Sequence, residues 1–448
     1  MSRKMGVDIL IKPYFETTNG KLYCSDCRPV LIDMPSNSVD GIVTDPPYEL
    51  GFMGKHWDSS GIAYNLEVWE QAFRVLKPGG HLLSFGGTRT YHRMVVAIED
   101  AGFEIRDMIN WVYGSGFPKS LNIGKAIDRK NGCEREVVGV YQSPSDNAKR
   151  NYGKLNCESM FGIGEGEFKR ELTAPSSPEA KEWEGWGTGL KPAHEPIVLA
   201  RKPLSEKTVA DNVLKHGTGG INIDGCRVGT DVIKTGNAYV GNTEGRYNWN
   251  NGDVKEYAGN LYTGRFPANL IHDGSDEVLK EFEKAGNCGA FAKVKSGQKG
   301  FGGIIYGEFK TGGDDGKTFY NDGLGTPARF FQKCEMTEED YSPFFYCSKA
   351  NTTERNFGCG KNNHPTVKPI KLMEYLIKLI IPKEGIVLDP FAGSGTTCVA
   401  AEKNDFKWIG IDLTDKYCDI AKARIVGVSN DTFINGEEKE DCPEKDKE

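Results

Sequence analysis

Between Gly385 and Asp412 the chain carries a unit that dictates much of its architecture. Gly385-Ile386-Val387-Leu388-Asp389 is a short apolar run of the kind that forms a buried strand. Pro390-Phe391-Ala392-Gly393-Ser394-Gly395 follows as a small-residue loop, and Thr396 to Lys403 reads as the opening of a helix. Phe406-Lys407-Trp408-Ile409-Gly410-Ile411-Asp412 is a second strand ending in an acid, 23 positions after Asp389. Glycines let backbone approach a ligand closely, and a helix N-terminus favours acceptor groups. The spacing is close to the about 20 positions that put a carboxylate on ribose hydroxyls in a nucleotide-binding βαβ unit. The loop is not a full dinucleotide fingerprint: Gly393 and Gly395 fit, but Cys398 holds the third glycine position. No lysine follows the glycines as a P-loop requires. A nucleoside cofactor without a pyrophosphate fits better than NAD or ATP.

A second motif lies near the other end. Val39-Asp40-Gly41-Ile42-Val43-Thr44 is an apolar run that ends at Asp45-Pro46-Pro47-Tyr48. The residue before a proline is pushed to extended geometry, so the strand continues to its tip. These residue types suit chemistry on the exocyclic amine of a nucleobase. That nitrogen is a poor nucleophile because its lone pair is delocalised into the ring. Two acceptors aimed at its hydrogens draw it toward a tetrahedral, more reactive geometry. Asp45 offers a carboxylate, and Pro46 a carbonyl held by its fixed φ. Tyr48 offers a ring face for an extruded base. A strand-ending turn uses the same residue types; the cofactor-type loop downstream favours the chemical reading.

The chain has 448 residues, enough for two or three domains, with ordinary hydrophobic content and abundant glycine. No run is long and apolar enough to span a membrane and the N-terminus lacks a signal-peptide pattern, so a cytoplasmic location is expected. Its 12 cysteines are then expected to be reduced thiols. Cys24 and Cys27 form the one close pair, Cys347 and Cys359 are loosely spaced, and the seven histidines do not cluster, so no metal site is expected. The net charge of −7 counts mildly against a nucleic-acid partner. Part of it comes from the tail after Val428, which reads as disordered and acidic over 428–448. A local basic cleft is compatible with the acidic total.

Strand and helix signals alternate through the first 200 residues. Lys21–Cys24, His81–Phe85, Phe103–Tyr113 and Pro196–Arg201 read as strands, and Leu66–Leu76 and Tyr91–Ala101 as helices. The alternation implies an α/β doubly wound sheet. Leu22–Cys24 is a natural next strand for the C-terminal nucleotide unit, so the sheet draws on both ends of the chain. Asp26 at that strand's tip is placed to accept from an adenine amino group, or is a turn aspartate. Between Ser120 and Glu184 the pattern loosens. From about Ser205 to Glu335 it is rich in Gly, Asn and Asp with scattered aromatics, among them Tyr239, Tyr247, Trp249 and Tyr262. Such loops suit nucleic-acid contact, or form a satellite domain with its own aromatic core.

These motifs in this order resemble the S-adenosylmethionine-dependent DNA amino-methyltransferases of the permuted β class, phage type, which act on adenine N6 or cytosine N4. Asp45 to Asp58 looks like the family's catalytic loop and Trp186 to Pro196 like its post-catalytic strand region. Gly264 to Leu270 recurs in such phage enzymes. Phe345 to Ala350 and His364-Pro365-Thr366-Val367-Lys368-Pro369 look like the segment before the cofactor loop. The resemblance implies a Rossmann-like methyltransferase sheet with an inserted target-recognition region. Its catalytic domain takes 16–204 and 335–427, with 120–184 a variable insertion and 205–334 the recognition region.

The roles implied by the resemblance run as follows. Asp45 and the Pro46 carbonyl hold the target amine, Pro47 completes the motif, and Tyr48 stacks the flipped base. Asp389, Phe391, Gly393, Gly395 and Thr396 form the S-adenosylmethionine pocket, Asp412 binds its ribose, and Asp26 takes its adenine. His364, Thr366 and Lys368 lie near its methionine end. Ser25 stands where the family often has Gly, and Asp412 where Glu is frequent, which shortens the reach by one methylene. His56 and His194 read as surface or structural residues. Methyl transfer is expected to be direct. Ring-carbon cytosine methylation needs an activated cysteine after a proline, and no cysteine here follows one. Aspartate before the two prolines favours adenine N6, with cytosine N4 the alternative; a nucleotide-binding oxidoreductase and an inactive DNA-binding module are more distant ones. The partner implied is double-stranded DNA with base flipping. The sequence leaves open monomer against homodimer, and a solitary enzyme against the partner of a cognate restriction endonuclease.

Overall fold

The computed structural model describes residues 10–51, 56–114, 116, 120–141, 170–234, 261–284, 332–333, 350 and 352–431. Its strands are β1 (Phe15–Glu16), β2 (Gly20–Cys24), β3 (Val39–Thr44), β4 (Leu76–Phe85), β5 (Glu104–Val112), β6 (Val137–Tyr141), β7 (Arg170–Thr173), β8 (His194–Arg201), β9 (Val228–Lys234), β10 (Leu261–Arg265), β11 (Leu270–His272), β12 (Gln332–Lys333), β13 (Ile386–Asp389) and β14 (Lys407–Asp412). Ten of them form one sheet in the order β1-β2-β14-β13-β3-β4-β8-β5-β11-β12. From β2 to β4 all neighbours are parallel. β8 then inserts antiparallel to both β4 and β5.

The sheet is assembled from both ends of the chain, as the sequence implied. β14 pairs with β2, Ile409 opposite Lys21 and Asp412 opposite Cys24, and β13 pairs with β3. Successive residues of a strand face opposite sides, and the two apolar cores follow that alternation. Val43, Leu83, Val387 and Trp408 pack on one side against the helices Ile370–Ile380, Thr396–Lys403 and Asp415–Asp431. Ile42, Leu82, Leu388 and Ile409 pack on the other against Cys27–Asp33, Leu66–Val75 and Tyr91–Asp100. β3 is buried throughout, as a strand covered on both faces must be.

Beyond the sheet, β6 and β7 form a separate antiparallel pair. Beside it, buried Asp128 on the helix Ile123–Asn131 accepts from Ser176 and Ser177 and pairs with Arg135. Within 205–334, β9 pairs with β10, whereas β11 and β12 extend the central sheet beyond β5. Arg227 lies 4.3 Å from the Tyr262 ring centre. The other aromatics named in that segment, and residues 345–349, lie outside the described residues. The helix Asp415–Asp431 runs past Val428, where the acidic tail was expected to begin.

Candidate active site

In a parallel α/β sheet, ligands bind beyond the carboxyl ends of the strands. β3 and β13 are neighbours in register, so Asp45, just past β3, and Asp389, closing β13, emerge at the same edge. They line a cavity of about 410 Å³. Thr44 ties the two strand tips together, its hydroxyl donating to Asp389 Oδ1 at 2.6 Å. Thr397 Oγ1 donates to the other carboxylate oxygen at 2.5 Å and the Phe391 amide to the first at 3.1 Å. Asp389 therefore braces the loop from below, and burial pushes its carboxyl up to about 6.

The loop itself needs its glycines for different reasons. Gly393 has φ +53°, and a Cβ there would lie 2.9 Å from His364 Nε2. Its amide donates to Asp412 Oδ2 at 2.9 Å, while the Thr414 amide donates to Oδ1 at 2.8 Å. Burial pushes Asp412 up to about 6 as well. Gly395 does not line the cavity. It has φ +77°, precedes the helix Thr396–Lys403, and a Cβ on it would lie 2.7 Å from the Ala421 methyl group. It seats one helix on another. Below the loop, fully buried Arg424 donates through Nη1 to the Ser394 carbonyl, Ser394 Oγ and Thr396 Oγ1 at 2.8–3.1 Å. Burial pulls its guanidinium down to about 10.

Asp26 also reaches the cavity, but its two oxygens already accept from Arg28. It caps the helix Cys27–Asp33 through the Arg28 amide at 2.9 Å. The bond to Arg28 holds its carboxyl below the usual range. His364 Nδ1 lies 2.5 Å from the Thr366 carbonyl, and its ring meets Tyr417 edge-on at 4.4 Å. Burial pulls this imidazole down to about 4, so it is neutral at physiological pH.

The remaining residues form a charged knot. The Lys368 ammonium, only 4% exposed, donates to Asp45 Oδ2, donates to Tyr48 Oη at 3.2 Å, and lies 3.5 Å from Glu195 Oε2. Tyr48 donates its hydroxyl to the same Glu195 oxygen at 2.9 Å. Lys368 also sits 4.5 Å from the Phe85 ring centre. Asp45 Oδ1 is buried and has no hydrogen-bond partner among the described residues. Thr90 Oγ1 holds the Tyr48 carbonyl at 2.7 Å, and buried Asp58 accepts the amides of Glu49 and Leu50, which fixes the chain beyond the motif.

Asp26, Asp45 to Tyr48, His364, Thr366, Lys368, Asp389, Phe391, Gly393, Thr396 and Asp412 thus share one cavity. Two residues of this region were not singled out from the sequence. Glu195 carried a signal, as the single acid of β8 just before its apolar run, but Arg424 lies in a helix with no local motif. Among the described residues no group of three or more His, Cys, Asp and Glu could hold a metal, and no helix is long and apolar enough to cross a membrane.

Such a sheet, with acids and a glycine loop at its carboxyl edge, has the form of a nucleotide-type binding fold, and comparison with known proteins names the family. A DNA methylase family model, N6/N4 type, matches residues 39–423, and the chain belongs to this family. The family depends on S-adenosylmethionine. The type II methyltransferase M.HindIII of Haemophilus influenzae is 22% identical over 377 residues, covering 84% of this chain and 72% of the relative. M2.DpnII of Streptococcus pneumoniae is 49% identical over 63 residues, 14% of this chain and 23% of the relative. Among solved structures, the cytosine-N4-specific PvuII DNA methyltransferase aligns over 96% of this chain and 98% of its own, with 14% identity and a TM-score of 0.42.

Proposed function

We propose that this DNA methylase transfers a methyl group from S-adenosylmethionine to N6 of an adenine flipped out of double-stranded DNA. The observation that carries the reading is Asp45. One carboxylate oxygen is held by Lys368, while the other is buried with no partner among the described residues. A buried acceptor without a donor costs about 1–3 kcal/mol, and an exocyclic amine supplies the missing donor. Asp45 then polarises the amine together with the Pro46 carbonyl, and the Tyr48 ring stacks the base. Aspartate ahead of the two prolines favours adenine over cytosine.

The donor set also fits the cofactor. Asp412 and Asp26 both line the cavity, and Oδ2 of each accepts one bond and keeps a lone pair for ribose hydroxyls or an adenine amine. Arg28 and Lys368, the cations that line the cavity, are each paired with a carboxylate. Among the described residues no cation is left to neutralise a pyrophosphate, and the excess of acids suits a cationic sulfonium ligand. When bound, S-adenosylmethionine supplies an electrophilic methyl group. The protein's part is positioning and electrostatics at the amine, with no cysteine nucleophile.

The test is mass spectrometry of nucleosides from DNA of cells expressing the chain, beside Asp45→Ala. N6-methyladenine is expected with the parent protein and not with the variant, which still binds S-adenosylmethionine. N4-methylcytosine instead reassigns the base; equal methylation by the variant removes Asp45 from the mechanism.

A further inference from the structure

We infer that Glu195 is a positioning residue that divides the Lys368 ammonium between two carboxylates and thereby keeps one oxygen of Asp45 open for the target amine. The inference rests on the reading of Asp45 as the acceptor of that amine.

Three observations carry it. Lys368 and Glu195 are each 4% exposed, so neither charge is supported by bulk water. Around the three ammonium hydrogens stand Asp45 Oδ2, the Tyr48 hydroxyl at 3.2 Å and Glu195 Oε2 at 3.5 Å. With the ammonium aimed at these groups, Asp45 Oδ1 is left without a hydrogen-bond partner among the described residues. Finally, Tyr48 bridges the pair: it accepts from Lys368 at 3.2 Å and donates to Glu195 at 2.9 Å. The residue read as the base-stacking platform is thus held by the same carboxylate that sets the position of the lysine.

The three substitutions to compare are Glu195→Gln, Glu195→Asp and Tyr48→Phe. Glu195→Gln removes the charge but keeps an acceptor for the Tyr48 hydroxyl. Single-turnover methyl transfer to unmethylated bulk DNA is expected to slow by about tenfold or more, with KM for DNA nearly unchanged. Glu195→Asp keeps the charge on a shorter arm and partly restores the rate. Tyr48→Phe loses the bridge but no charge, and it also slows transfer. Equilibrium binding of S-adenosylmethionine, read by calorimetry, is expected to match the parent in all three and reports intact folding without turnover. If Glu195→Gln does not bind the cofactor, Glu195→Asp is compared with the parent in its place, and a slower transfer with KM for DNA nearly unchanged is expected; a parental rate overturns the inference.

A parental rate in a folded Glu195→Gln overturns the inference and leaves the methylation reading intact. A lower rate that Glu195→Asp does not partly restore also overturns it, since loss of packing alone explains that result. A parent protein that binds S-adenosylmethionine but methylates no DNA overturns the functional reading, and this inference with it.

Discussion

Asp412 carries two functions on one carboxylate. It closes the loop by accepting the amides of Gly393 and Thr414, and it offers its remaining lone pairs to the cavity. Burial makes the charged form costly, so it titrates near 6 rather than in the usual carboxylate range. The sign follows from its job as an acceptor. Above about 6 it is ionised and accepts; as pH falls through 6 it gains a proton and loses acceptor capacity. Affinity for S-adenosylmethionine is therefore expected to weaken between pH 7.5 and 5 by up to roughly tenfold, the loss of ionised fraction for such a group. Asp412→Asn is expected to bind weakly and almost independently of pH over that range. Asp389 titrates in the same window but bonds Thr44, Thr397 and Phe391, so it contributes little to the slope. Calorimetric titration of parent and variant at five pH values is the check; a variant as pH-sensitive as the parent removes Asp412 from cofactor binding.

At the scale of elements, the central question is how a cysteine occupies the place of a helix-packing glycine. The helix Thr396–Lys403 lies close on β14, and its first six residues are all buried. In the dinucleotide fingerprint the glycine that permits this approach is on the helix. Here it is on the strand: a Cβ at Gly410 would lie 2.5 Å from Cys398 Sγ. The contact has been transferred from one partner to the other. Gly410→Ala is expected to destabilise the fold by about 1–3 kcal/mol through overpacking. Cys398→Ala should relieve most of that penalty, giving a non-additive cycle in thermal or urea unfolding. Additive effects would mean that the two residues do not compete for the same space. The compensation also marks how far the sequence could be read. Cys398 was visible as a departure from the fingerprint, but its remedy 12 positions later was not, because it depends on helix–strand contact. The same holds for the active edge. Asp45 to Tyr48 and Gly393 to Thr396 are local patterns, legible from residue type and order. Glu195 and Arg424 act across the fold, and β8 reads as a strand without revealing that it lies antiparallel between β4 and β5.

For the whole molecule, the consequence of building one sheet from both chain ends is that neither end makes a binding site alone. The loop and Asp412 come from the C-terminal part, yet β13 needs β3 on one side and β14 needs β2 on the other. Thr44 completes the bonds of Asp389, and Tyr14 reaches across to Asp419. An isolated C-terminal part would expose both edges of a two-stranded parallel pair, which is too small to be stable in water. We therefore expect that a chain divided between Lys284 and Gln332 gives two fragments, neither of which binds S-adenosylmethionine. Co-expression of the two should restore binding, since β3 and β2 then supply the missing edges. Calorimetry on each fragment and on the copurified pair reads the outcome. Parental affinity in the C-terminal fragment alone would show that the cofactor unit folds independently, and that the N-terminal strands add the target site to a finished domain rather than completing one.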